Sequence, residues 1–451
     1  MSMPSYSINP YSVDRPAETL FYGRQSELNE LRDGLCSPIG RSYAIIGGRR
    51  FGKTSLLKKL QRLLSLTPAE SWESPVIPVY LNLLGDASSI DSVEGFFSTV
   101  LTALSQQTTS YWPDQPDHDH ASPLAFKPDT FPYHVFGDWL VQQCSAHASE
   151  TTAPRVVLLL DEIERILHRP WKNDLLASLR MLVYEDASYS RVFGLVTSGS
   201  TEFYQEIESR GSPLWQVLHS IHLASLFEEE TLRLIHEPSS DRVPESVAAE
   251  ISLLSGGHPY LTQYFMQNLW ARLPRVSVDD VHDLARGFRV TERPLLSKWQ
   301  LALGAVGTKV YQALVDNGAW LSAQQIRKQA GEPVMTALKS LCYHGFAIPR
   351  DRHWTHFRYT GELFRAWFIE DFLPDAQMSG NIERRHVEIQ RQELDRRYNE
   401  LTKRIAALDT DLEVELDSER KLVLKERRER AVTEREEVIG QLRKSERQLT
   451  S

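Results

Sequence analysis

Residues 42–60 read SYAIIGGRRFGKTSLLKKL, and this stretch decides the fold. It opens with a short apolar strand, Tyr43 to Ile46, passes through Gly47, Gly48, Arg49, Arg50, Phe51, Gly52, Lys53, Thr54 and Ser55, and enters a helical pattern with Leu56, Leu57 and Leu60. A glycine, four residues and then Gly-Lys-Thr, between a strand and a helix, is the phosphate-binding P-loop in the context that it needs. Its glycines let backbone N–H groups curl around a phosphate, and the N-terminus of the following helix adds its dipole. Lys53 neutralises β/γ oxygens, and the Thr54 hydroxyl is suited to ligating Mg²⁺.

Working outward, Val156-Val157-Leu158-Leu159-Leu160 is apolar at every position, as a parallel strand buried on both faces must be, and it ends in Asp161-Glu162. A carboxylate at the carboxyl end of a strand beside the P-loop lies where a metal needs an oxygen partner. Asp161 is therefore assigned to the metal and Glu162 to orienting or deprotonating the attacking water. Glu164 and Arg165 follow in the next turn and read as structural or surface residues. A third strand, Val192 to Val196, runs into Thr197-Ser198-Gly199-Ser200. A Thr197 or Ser198 hydroxyl there would bond the γ-phosphate or the lytic water, and a plain Ser/Thr turn is the alternative.

The 451 residues carry 51 Lys+Arg against 60 Asp+Glu, a net charge of −9, with 41% hydrophobic and 25% charged residues. That balance fits about three globular units and excludes a wholly disordered chain. No apolar run is long enough to span a bilayer and the polar N-terminus does not read as a signal peptide, so a cytosolic protein without a membrane partner is expected. Cys36, Cys144 and Cys342 are far apart and in no metal-ligand spacing, which argues against disulfides or structural zinc. A stretch from 106 to 134 holds Pro113, Pro116, Pro123, Pro128 and Pro132 and reads as a surface loop, in which His118 and His120 are solvated rather than metal-bound.

Residues 382–451 differ in kind, with 17 acidic and 17 basic residues and no proline. Leu394, Tyr398, Leu401, Ile405, Leu408 and Leu412 recur in steps of 4 and 3, a heptad seam, and a second stripe runs through Ala431, Val438, Leu442 and Leu449. The register slips between them, so the segment is either a helical hairpin turning near Asp417 or one long helix with a stutter.

Here the ordered blocks acquire a family. NPYSVDRPAETLFYGRQSELNELRDGL, GGRRFGKTSLLKKL, VVLLLDEIE, GLVTSGSTEFY, SPLWQVLHSIHLASLFEEETLRLI and SGGHPYLTQYFMQNLW, spanning Asn9 to Trp270, resemble the STAND and archaeal-ATPase branch of the AAA+ P-loop NTPases. The resemblance implies an α/β fold: an N-terminal nucleotide-side arm (1–20), a P-loop NTPase αβα sandwich with a parallel sheet (21–227), an all-α lid (228–300) and a winged helix (301–375), followed here by the coiled coil or hairpin (382–451). It also implies ATP with Mg²⁺, ATP/ADP exchange as a conformational switch, and placement of Tyr22, Gly23 and Arg24 near the adenine and phosphates. In the GGHP block, His258 or Pro259 would face the nucleotide, and a buried, hydrogen-bonded helix-start role is the alternative for His258. Where archaeal relatives often carry an arginine after the third strand's Pro-Leu pair, this chain has Trp215, Gln216 and Val217. Arg210 is the nearest upstream arginine, either a finger acting in trans or a surface salt bridge, and the departure suggests a slow, regulatory ATPase.

From Val306 to Phe368 the pattern is three helices (308–316, 322–330, 333–343) and a hairpin (346–349, 355–359) around Arg350-Asp351-Arg352. Its third helix offers only Lys339 as a cation, which favours packing onto the NTPase over reading DNA, although Arg350, Arg352 and Arg358 could touch phosphate. The expected protein is a homo-oligomerising ATPase switch whose coiled coil recruits a protein effector, in prokaryotic signalling or anti-phage defence by analogy. A DNA-associated ATPase of the initiator or transposition-loader kind is the rival.

Overall fold

The computed structural model describes residues 9–13, 15, 21–37, 40–66, 75–86, 90–107, 130–148, 153–331, 333–350, 353–373, 382–414 and 418–450. His118, His120, Arg352, Leu416 and Asp417 lie outside them. The chain divides into two compact units, one of residues 1–284 with Cys342–Gly345 and one of 285–341 with 346–451.

The first unit is built on a parallel sheet of β1 (Tyr43–Gly47), β2 (Val76–Asn82), β3 (Arg155–Asp161), β4 (Phe193–Gly199) and β5 (His219–Leu223), in the order β2-β3-β4-β1-β5. Every residue of β1, β3 and β4 is buried, which is why those segments read as unbroken apolar runs. Alternate side chains serve two separate cores. Val156, Leu158 and Leu160 pack with α4 (Val93–Gln107), α5 (Pro132–Ala146) and α6 (Lys172–Arg180). Val157 and Leu159 pack on the other face with α1 (Gln25–Leu35) and α2 (Lys53–Leu66). The period-two alternation of a strand thus makes an αβα sandwich. β2 is an edge, and Pro78, which has no N–H to donate, is tolerated there.

Two boundaries differ from the sequence reading. The proline-rich stretch ends a turn early, because Pro132 takes the first position of α5, where a missing N–H costs nothing. β4 runs on to Gly199, so Thr197 and Ser198 are fully buried strand residues rather than turn residues. Pairing with β1 and β3 supplies the backbone partners that local sequence does not reveal.

Short helices α3 (Leu83–Asp86), α7 (Ala187–Val192) and α8 (Thr201–Glu208) complete the sandwich, and α9 (Glu228–Ser239), α10 (Glu245–Ser255) and α11 (Pro259–Leu269) form an all-helical layer after it. The N-terminal arm is tied into this layer. Tyr11 is buried and donates its hydroxyl to the Leu234 and Ile235 carbonyls, while Asn9 and Val13 bond to Gln267. α12 (Val278–Thr291) contains the boundary between the units, at Leu284.

In the second unit, α13 (Arg293–Asn317) is broken at Gly304, whose φ of 68° no helix contains. α14 (Ala323–Ala330), capped by the Ser322 and Gln325 side chains, and α15 (Val334–Tyr343) follow. A three-stranded antiparallel sheet in the order β6 (Leu321–Ser322), β8 (His356–Tyr359), β7 (Ala347–Pro349) and the short α16 (Glu362–Trp367) close this part. Its core is aromatic, with Phe346 stacked on Phe364 at 3.8 Å.

The chain ends in α17 (Ile382–Val414) and α18 (Ser418–Thr450), two helices of 33 residues each. Ion pairs Arg391–Glu446, Arg397–Glu434 and Arg428–Asp409 join early positions of one to late positions of the other, so the two run antiparallel. Leu394, Leu401, Ile405, Leu408, Ala431 and Val438 are buried along the seam. Among the described residues the two apolar stripes therefore meet within one chain, as a hairpin.

Candidate functional site

β1 delivers the chain to the carboxyl edge of the sheet, where Gly47 and Gly48 are buried and Arg49 and Arg50 are exposed. Arg50 (φ 66°) and Gly52 (φ 84°) both lie in the left-handed region, which curls the loop before Lys53 begins α2. Arg50 lays its guanidinium 4.1 Å from the Tyr260 ring centroid, and Phe51 is buried against the His258 ring at 4.3 Å. Lys53 Nζ donates to the Gly47 and Gly48 carbonyls at 3.0 and 3.1 Å. Burial pulls its ammonium below the usual lysine range, against the opposing pull of Glu164, Glu162 and Asp161. Thr54 is half-buried and Ser55 buried in the first turn of α2.

Asp161 is fully buried at the end of β3. Its Oδ2 accepts from the Tyr80 hydroxyl at 2.9 Å, and its Oδ1 accepts from the Ser198 hydroxyl and from the Glu162 N–H at 3.1 Å. Glu162 sits at φ 61°, ψ 42°, a left-handed conformation that costs a non-glycine residue about 1–3 kcal/mol and that clusters at functional turns. This turns the chain sharply off the strand and leaves the Glu162 side chain half-buried. Thr197 donates to the Tyr43 carbonyl at 3.5 Å inside the sheet, so of the two hydroxyls it is Ser198 that joins the acids.

Glu164, expected as a structural or surface residue, is half-buried in the turn after Glu162. Its Oε2 is buried without a hydrogen-bond partner among the described residues, and burial raises its carboxyl above the usual range while Lys53 opposes the shift. A second acid two residues after Glu162 was the available signal. Tyr80, by contrast, lies 81 positions from Asp161 in sequence and left no local trace.

The remaining candidates are distributed more widely. Arg24 is buried, donating to Glu27 at 3.2 Å and to the Ala224 carbonyl. Gly23 lies against Leu226 and Glu230, and Tyr22 is beside Arg233 and Glu237 of α9. His258 caps α11, its Nδ1 accepting from the Tyr260 N–H at 3.3 Å, and Pro259 takes the first helical position. Burial first, then the charges of His344 and Arg50, push the His258 imidazole down to about 3, so it is neutral at physiological pH. Arg210 is exposed on the turn after α8. Sequence reading also missed the tetrapeptide Cys342–Gly345, which belongs to the first unit. Gly48 donates its N–H to the Tyr343 carbonyl at 2.9 Å, and the Tyr343 ring stacks on His222 at 4.2 Å.

These residues fit Mg²⁺, which takes one or two carboxylates and fills its octahedron with phosphate oxygens and water. A carboxylate offers about four lone-pair sites, and Asp161 uses three of them in the bonds above. One acceptor position remains on Oδ2. Among the described residues no group of three or more His, Cys, Asp or Glu is arranged as a metal cage, and no helix is long and apolar enough to cross a membrane.

The model of the AAA-like domain matches residues 12–285. Among solved structures, the Walker-type ATPase PabY2304 of Pyrococcus abyssi superposes with a TM-score of 0.52 at 14% identity, covering 77% of this chain and 95% of that one. The Aeropyrum pernix ORC2 protein, in its ADPNP-ADP complexes, gives 0.45 at 17% identity over 79% and 95% of the two chains. A search of curated proteins returns no match. With a P-loop on a five-stranded parallel sheet, acids at the end of β3 and a family match over more than half its length, the chain belongs to the AAA-like domain family.

Proposed function

We propose that the chain is an ATP- and Mg²⁺-dependent conformational switch that hydrolyses ATP slowly and whose nucleotide state controls self-association and recruitment of a protein effector. The observation that carries this reading is the convergence of Lys53 with Asp161, Glu162 and Glu164 at the carboxyl edge of the sheet, where each acid acts on the Lys53 ammonium. The amides from Arg49 to Ser55 would cradle the phosphates, the Gly48 N–H being held by the Tyr343 carbonyl, and Lys53 would leave the Gly47 and Gly48 carbonyls for β/γ oxygens. Thr54 and Asp161 would hold Mg²⁺, which supplies charge neutralisation at those oxygens. Glu162 would take the proton of the attacking water. Ser198 gives its only proton to Asp161, so it would accept a bond from that water rather than donate to phosphate. Arg210, exposed, would act in trans, and the protein would work in the cytosol.

The second unit supports the regulatory half of the proposal. Its α13, α14 and α15 with the three-stranded sheet would serve as a winged helix, and α15 carries Lys339 as its one cation, a poor surface for DNA phosphates. The hairpin's apolar seam is buried between α17 and α18, so an effector or a second copy would meet its charged outer face.

Light scattering tests the reading. Wild type and Glu162→Gln are compared with ADP and with ATP/Mg²⁺, alongside Lys53→Ala and a chain ending at Gly380. A mass increase that requires ATP and Lys53 and persists in Glu162→Gln is expected, and its loss in the shortened chain would assign assembly to the hairpin. An unchanged mass in every state, with a salt-dependent affinity for duplex DNA, would replace the switch by the DNA-associated reading.

A further inference from the structure

The edge strand β2 contains a set of contacts that the P-loop reading does not use. Among the described residues β2 has no strand partner on its outer side, so the backbone N–H and carbonyl of Tyr80 would otherwise lack partners there. The Gln107 carboxamide pairs with both, accepting from the Tyr80 N–H at 2.9 Å and donating to its carbonyl at 2.8 Å. Gln61 donates to the same Gln107 oxygen at 3.0 Å and fixes which way the amide points. Two residues on and therefore on the same side of the strand, Asn82 donates to the Tyr80 hydroxyl at 3.4 Å. With an acceptor role already satisfied, that hydroxyl directs its single proton to Asp161 Oδ2 at 2.9 Å.

On the other side, the register pairs Leu160 with Thr197, which brings Ser198 level with Asp161, and Ser198 donates to Oδ1. The carboxylate is thus gripped from both neighbouring strands. Without Tyr80, Oδ2 would keep two open acceptor positions and the carboxyl would lose the donor that sets its plane.

We propose that Tyr80 is a positioning residue for the metal-side carboxylate: held by Gln107 and Asn82, it fixes the plane of Asp161 and leaves one acceptor position on Oδ2 for Mg²⁺ or a water bound to it. This rests on the P-loop reading above. Partners of this kind are worth about 10–100-fold in metal affinity.

The test is binding of a fluorescent ATP analogue to full-length protein, with excess EDTA and with Mg²⁺, for wild type, Tyr80→Phe, Gln107→Ala and Lys53→Ala. Tyr80→Phe is expected to bind as wild type in EDTA and to lose about tenfold of the affinity gained on adding Mg²⁺. Gln107→Ala, which keeps the hydroxyl but frees its strand, is expected to lose a smaller part of that gain and serves as the readout if Tyr80→Phe does not fold. A Mg²⁺ gain within twofold of wild type in whichever of the two is read overturns the inference while leaving the P-loop reading intact. Nucleotide binding that is absent in wild type, or indifferent to Lys53→Ala, overturns both.

Discussion

The two ends of β3 each bury a charge, and they do so by opposite means. At its first residue, Arg155 is buried and donates Nη2 to the Gly40 and Phe193 carbonyls, both at 3.0 Å. Burial lowers its guanidinium to about 10. At its last residue, Asp161 is held by two hydroxyls and one N–H. Backbone carbonyls cannot rotate away, and a Cβ on Gly40 would fall 1.0 Å from Arg155 Nη1, so the arginine end is a locked plug. The carboxylate, by contrast, has its three donors in place and still keeps an open acceptor position on Oδ2. A buried charge becomes a site when it is held and retains capacity for a ligand. It is structural when fixed partners enclose it.

That contrast can be broken by experiment. Arg155→Ala should leave two carbonyls and a cavity behind and lower stability by about 3 kcal/mol while nucleotide affinity stays within twofold, read by denaturant melts and analogue binding. Reversed effects would place function at the wrong end of the strand. Lys53→Ala should do the opposite, weakening ATP binding by about 100-fold, or ~2.7 kcal/mol, with little change in the melt.

Two further measurements extend the comparison to other buried groups. In the hairpin, Leu401→Ala should cost about 2 kcal/mol of local stability, seen as faster amide exchange along α17 and α18, because it opens the seam. Arg428→Ala, on the exposed Asp409 pair, should leave exchange unchanged. His258 gives a pH signature. Its folded-state value of about 3 lies below the ordinary 6.5, so as pH falls the unfolded chain takes up the proton first. Stability should therefore decline from about pH 6.5 toward pH 3 by at most ~1.4 kcal/mol per pH unit from this group, and His258→Asn should flatten that part of the profile.

What the sequence determined on its own is what short-range physics dictates. The strand-loop-helix at 42–60, the doubly buried β3 with its terminal acids and the heptad stripes at Leu394–Leu408 are each written in a period or in a backbone demand that neighbours satisfy. A loop that must curl needs its glycines wherever the rest of the chain goes. What only the tertiary structure decided is which distant groups share a partner. Tyr80 meets Asp161 because β2 pairs in register with β3, and Gln107 reaches Tyr80 because α4 packs along that edge. Arg24 bonds to the Ala224 carbonyl, 200 positions away, because α1 brings it beside the chain leaving β5. Glu164 comes within the field of Lys53 because one turn of 3₁₀ helix follows β3 there. The stripes of α17 and α18 close on each other because the chain reverses between them. Hydrogen bonds and charge pairs across 80 or more positions are set by strand register and helix packing, and no local pattern encodes them.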